Sequence, residues 1–166
     1  MDGYLLDTNT VDYWFDPKRP EHPRVLARIG SLPAGTPLLI SVISLGEIEY
    51  GHAAVSGGQT PVQANHMDFV RQHFPLALAI LESTASCYGD LRARLFERFG
   101  PATRKQGLRP EQLRDPLTAR ELGFQENDLW IAAQAIEHNL VLATHDRMGR
   151  IQEVARGRLR VEDWAR

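Results

Sequence analysis

The chain has one cysteine, Cys87, and two lysines, Lys18 and Lys105, in 166 residues. A single cysteine excludes an internal disulfide framework and a zinc site built from cysteines. No apolar run approaches the roughly 20 residues that span a bilayer. The chain opens Met1-Asp2-Gly3-Tyr4 and enters an apolar segment directly, without the basic-then-apolar order of a secretory leader. These absences predict a soluble, cytoplasmic protein with no membrane partner. Also missing are a P-loop, a GxGxxG turn and a paired-histidine zinc motif, each of which would have pointed to other chemistry. There is no internal repeat and no low-complexity tract.

What is present reads as an ordinary globule. Residues are 43% hydrophobic and 24% charged, with a mean hydropathy of −0.32, which excludes a disordered tail, a collagen-like fibre or a coiled-coil rod. The length suits one domain spanning 1–166. Net charge is −2, and 17 of the 19 basic residues are arginine, the side chain best shaped for forked contacts to phosphate or carboxylate. The charge is unevenly spread. Arg92 to Arg114 carries +5 and Arg147 to Arg160 carries +4, which leaves −11 for the rest. The sequence therefore predicts one cationic and one acid-rich surface, with solvated helix faces as the plainer alternative.

Short apolar runs alternate with helical stretches. Strands are expected at Tyr4–Leu6, Pro37–Val42, Pro75–Ile80, Leu140–Thr144 and Leu159–Val161. Helices are expected at Thr8–Phe15, Pro23–Ser31, Ser44–Val55, Pro61–His73, Ser83–Phe99, Asn127–Asn139 and Asp146–Val154. Ser44-x-x-Glu47 matches a capping box, Gly57-Gly58 would break the third helix, and Gly100-Pro101 would end the long one. The helices flanking Gly57-Gly58 suggest a helical hairpin. Residues 101–124, punctuated by Pro101, Gly107, Pro110 and Pro116, read as a polar, basic insertion centred on 101–121. Alternating β and α segments favour a mainly parallel sheet covered by helices on both faces.

Four carboxylates take comparable places in this pattern. Asp7 follows the first strand, Glu47 lies in the first turn after the second, Asp128 opens its helix, and Asp146 follows Thr144. Ligands of open α/β sheets bind outside the carboxyl ends of the strands, so the topology can gather all four at one edge. Clustered carboxylates raise one another's pKa, and a hard cation such as Mg²⁺ or Mn²⁺ removes that conflict with oxygen ligands. Such a cation supports phosphoryl chemistry by lowering the pKa of an attacking water and neutralising phosphate oxygens. Each acid also has a plain reading as a helix cap or a partner of the helix dipole. Glu47 is the most exposed to it, because the capping box with Ser44 accounts for it. His145, Trp14, Trp130 and Trp164 read as structural.

The segments Leu5-Leu6-Asp7-Thr8-Asn9, Ser41 to Gly51 with Glu47-x-x-x-Gly51, Asn127-Asp128-Leu129-Trp130-Ile131-Ala132-Ala133 and Leu142-Ala143-Thr144-His145-Asp146 resemble, in order, the PIN domain. More narrowly they resemble the VapC-type ribonuclease toxins of prokaryotic toxin–antitoxin pairs. The resemblance extends from Tyr4 to the terminal Val161-Glu162-Asp163-Trp164. It implies an α/β/α sandwich and an Mg²⁺-dependent endoribonuclease with Asp7, Glu47, Asp128 and Asp146 as the acidic quartet. It also implies that Thr8, Asn9 and Thr144 orient the carboxylates, and that the partners are RNA (transfer RNA among the candidates), a small antitoxin and a second copy of the chain. Arg92, Arg94, Arg98 and Arg147 are candidates to hold substrate phosphates. Two alternatives stand beside this reading: a PIN nuclease of RNA processing without an antitoxin, and a non-catalytic metal-binding α/β domain. The long basic segment at 101–121 departs from the family pattern and leaves the substrate path open.

Overall fold

In the computed structural model, residues 3–55, 60–101 and 107–166 are described. Five parallel strands form one sheet in the order β3-β2-β1-β4-β5. The central strand β1 (Tyr4–Leu6) pairs with β2 (Leu38–Ser41) on one side and β4 (Val141–Ala143) on the other. β3 (Ala77–Leu78) and β5 (Arg160–Glu162) form the edges. The order reverses between β1 and β4, the point at which an open α/β sheet leaves a crevice at the strands' carboxyl ends.

Strands buried on both faces need apolar residues at every position, and the two faces divide them by parity. Leu5 and Leu142 join a core with Leu91, Leu95, Leu129 and Ile151. These come from α5 (Glu82–Phe99), α6 (Glu126–Glu137) and α7 (Gly149–Ala155). Tyr4, Leu6, Val141 and Ala143 join a second core with Val11, Val25, Ile48 and Met67. Those lie on α1 (Thr8–Phe15), α2 (His22–Ser31), α3 (Val42–Ala53) and α4 (Pro61–His73). The architecture is the expected α/β sandwich. No helix among the described residues is long and apolar enough to cross a membrane.

Several boundaries differ from the sequence reading, and two of them bear on the site. Helix α3 starts at Val42, with the Ser41 hydroxyl accepting the Ile43 N–H at 2.9 Å. The Ser44 capping box is therefore absent: Ser44 is buried inside the helix and Glu47 lies in its second turn. Helix α6 starts at Glu126 after Gln125, so neither Asn127 nor Asp128 is the cap. Among the others, the helix expected from Asp146 begins only at Gly149. The helical-hairpin pair meets at its near ends, where Gln63 donates to the His52 carbonyl (3.2 Å) and His52 Nε2 lies 3.2 Å from His66 Nδ1. The Gly57-Gly58 break lies outside the described residues, as do Arg104 and Lys105. Helix α5 ends at Gly100 as expected, where a Cβ would collide with the Phe96 carbonyl oxygen.

The segment expected to be a polar insertion is instead anchored in the core. Leu113, Leu122 and Phe124 are buried against α5, α6 and α7. Residues 113–122 close on themselves through an antiparallel bridge between Arg114 and Glu121, and through Asp115, which accepts the N–H groups of Leu117 and Thr118 at 3.0 Å. Its polar composition hid three apolar anchors spaced too irregularly to register as an element.

Candidate metal centre

Three carboxylates converge at the crevice. Asp7, Asp128 and Asp146 each offer an oxygen, and the three oxygens lie within 4.8 Å of one another. Each comes from a different part of the sequence: the end of β1, the first turn of α6 and the loop after β4. Asp7 caps α1, its Oδ1 accepting the Thr8 N–H at 2.8 Å, yet it is 3% exposed. A cap gains nothing from such burial, so the helix alone does not explain the residue's position.

Hydroxyl and amide groups fix these acids in place. Thr144 Oγ1 donates to Asp7 Oδ2 (2.7 Å) and accepts the Asp146 N–H (3.1 Å). The Asn9 amide nitrogen lies 2.9 Å from Asp146 Oδ2, 3.3 Å from Asp7 Oδ2 and 3.3 Å from Thr144 Oγ1. Asn9 Oδ1 accepts the His145 N–H (3.1 Å), which ties the β4 loop to α1. Asp128 Oδ2 accepts the Gln125 N–H at 2.6 Å.

Glu47 stands next to the three and is not one of them. Its Oε2 accepts from the Thr8 hydroxyl and its Oε1 from Asn127 Nδ2 (2.8 Å). It thereby joins α1, α3 and α6 at the rim. Asn127 is the contact the sequence reading missed: the sequence marks it only as the start of a helix, and its reach to Glu47 crosses 80 residues of chain. His145 turns away to Asp163 (3.0 Å). Trp164 is buried on the Tyr4 ring at 5.1 Å.

Burial and mutual repulsion set the electrostatics. Burial pushes the Asp7 carboxyl up to about 7, the charges of Asp146 and Asp128 add to it, and the bonds from Thr144 and Thr8 work against it. Asp128 rises to about 6, first through burial and then through Asp146 and Glu47. No cation side chain is bonded to Asp7, Asp128 or Asp146 among the described residues. An all-oxygen donor set of mutually repelling carboxylates, running from buried Asp7 through half-buried Asp128 to exposed Asp146, fits a hard divalent cation.

The four candidate arginines divide differently. Arg92 pairs with Glu126 (2.9 Å), Arg94 with Asp90 (2.7 Å) and Arg98 with Glu153 (3.1 Å). The structure thus gives these three helix-borne side chains intramolecular partners. Arg147, next to Asp146, is exposed and has no ionic partner among the described residues.

Solved structures share the fold that holds this centre. The chain shares its fold with FitAcB from Neisseria gonorrhoeae (22% identity, 97% of each chain covered, TM-score 0.67). It shares it also with VapBC-1 from nontypeable Haemophilus influenzae (22%, 98% of each, 0.66). A third is VapBC-5 of the VapBC family of toxin–antitoxin systems from Mycobacterium tuberculosis (21%, 98% and 97%, 0.55). No curated protein matches the sequence. The PIN domain family model matches residues 4–157, and the chain belongs to the PIN domain family.

Proposed function

We propose that this protein is a metal-dependent endoribonuclease of the VapC type, hydrolysing RNA phosphodiester bonds until a small antitoxin neutralises it. The observation that carries this reading is the convergence of Asp7, Asp128 and Asp146, held by Asn9 and Thr144 and free of any balancing cation. Family membership and the toxin–antitoxin complexes among its structural neighbours support it. Asp7, Asp128 and Asp146 would hold Mg²⁺ or Mn²⁺, with Glu47 adding charge from the rim. When bound, the cation lowers the pKa of an attacking water and neutralises phosphate oxygens.

The chain's own residues supply position. Thr144 and Asn9 keep the Asp7 and Asp146 oxygens turned inward, and Asp128 is fixed by the first turn of α6. Thr8 and Asn127 hold Glu47 beside them. This pre-set geometry spares the site the cost of ordering its ligands. A second copy of the chain is the expected oligomeric partner, and the exposed Tyr50, Val55 and Val62 near the α3–α4 junction support an interface.

The test is cleavage of a labelled single-stranded RNA with Mg²⁺ or Mn²⁺, and again with excess EDTA. Activity should require the cation, and Glu47→Gln should lower turnover by about tenfold or more. Equal cleavage in EDTA would overturn the metal mechanism.

A further inference from the structure

A cavity of about 520 Å³ lies between the closed loop at 113–122 and the start of α7, beginning one residue beyond Asp146. Its walls include Asp115, Thr118, Arg120, Leu122, Arg147 and Arg150. The charges around it are largely spoken for. Arg150 is bonded to Asp115 and to Glu153 (3.1 Å), and Glu153 also takes Arg98. Glu121 takes Arg114 at 3.2 Å. Arg120 and Arg147 remain, both exposed and without an ionic partner among the described residues.

Two arginines without ionic partners lining one cavity, together with buried Leu122, form a surface for an anion carrying a flat or apolar group. A cavity of this volume falls in the range that takes one small ligand. The metal centre repels a polyanion, so favourable charge for an incoming strand must come from beside it. Arg147, the residue after Asp146, and Arg120, which lines the same cavity, supply that charge, and the core anchors Leu113 and Leu122 hold the Arg120 loop in place.

We propose that this cavity is a nucleotide subsite of the substrate strand, in which Arg120 and Arg147 hold the phosphate of a nucleotide flanking the scissile bond. The inference rests on the ribonuclease reading and deepens it. Arg120 is a residue that the sequence reading left unassigned, and the loop carrying it becomes part of the RNA path.

Binding of a short single-stranded RNA is measured with Ca²⁺ in place of Mg²⁺ across a salt series, and cleavage is measured under single-turnover conditions with Mg²⁺. Each phosphate contact to a single strand contributes about −0.7 to the slope of log affinity against log salt. Arg120→Ala/Arg147→Ala should therefore flatten the slope by about 0.7, for the one phosphate that the pair holds, and weaken binding at least tenfold at low salt. Its cleavage rate at saturating RNA should stay within about threefold of wild type. Arg71→Ala, on the opposite face in α4, should change neither quantity. A wild-type protein that binds and cleaves RNA beside a double variant of unchanged slope and affinity would overturn the subsite alone. A double variant that loses affinity for an acidic protein partner while keeping RNA affinity would also overturn it, assigning the arginines to that partner. A wild-type protein that neither binds nor cleaves RNA would overturn the ribonuclease reading and the subsite together.

Discussion

Asp7 is where stability and function pull in opposite directions. Its carboxyl is buried beside two other acids and titrates near 7 rather than 3.8. Between those values the folded chain holds a proton that the unfolded chain has released. The metal-free protein is therefore stabilised as pH falls from 7 towards 4, and is destabilised by Asp7 above pH 7. Asp7→Asn keeps the cap of α1 and removes the charge. The variant should lose metal-dependent cleavage by 100-fold or more (about 2.7 kcal/mol or more in the barrier). In EDTA at pH 8 it should melt several degrees above wild type, at about 2–4 °C per kcal/mol. A melting temperature unchanged at pH 8 would show that the buried charge costs the fold nothing. Glu47 illustrates the same scale differently. Its sequence neighbourhood spelled a cap with Ser44, but the chain starts the helix at Val42, and the carboxylate is free to bind Thr8 and Asn127.

At the scale of elements, the segment from 107 to 124 shows how anchoring overrides composition. Leu113 is 1% exposed in the core between α5, α6 and α7, whereas Leu117 is 93% exposed at the loop tip. Leu113→Ala should destabilise the protein by about 2–5 kcal/mol through lost contact and a residual cavity. Leu117→Ser should stay within about 0.5 kcal/mol, as surface changes do. Chemical denaturation of both variants distinguishes an anchored element from a tethered loop; equal small losses would favour the tethered loop. The long helix α5 carries another element-level arrangement. Its arginines bond Glu126, Asp90 and Glu153 and so fasten α5 to its neighbours and within its own turns. The basic run at 92–114 is thus in part a set of internal ion pairs, and its net sequence charge overstates what it offers a polyanion.

For the whole molecule, the reversal of strand order between β1 and β4 brings three chain regions to one crevice. That crevice couples metal, protons and folding. Asp7 and Asp128 titrate near 7 and 6, so a cation must displace protons below those values. Mg²⁺ should raise the melting temperature more at pH 8 than at pH 6, and calorimetry in buffers of different ionisation enthalpy should register proton release at pH 6. A shift independent of pH would place the cation elsewhere.

The sequence by itself determined the layers and the acids. Leu5-Leu6, Leu39-Ile40 and Val141-Leu142 are apolar on both faces, which only a covered parallel sheet satisfies; Asp7 and Asp146 follow such strands, Glu47 lies on the helix after one, and Asp128 lies in the first turn of its own helix. Local pattern carries that information because burial acts residue by residue along a strand. The tertiary structure decided which acids meet. Asp7, Asp128 and Asp146 share one centre and Glu47 flanks it, because the order of strands and the start of α3 set distances that no spacing in the chain encodes. It decided likewise that Arg92, Arg94 and Arg98 have partners within the chain while Arg120 and Arg147 face a cavity. A charge acquires its role from whatever the fold places opposite it.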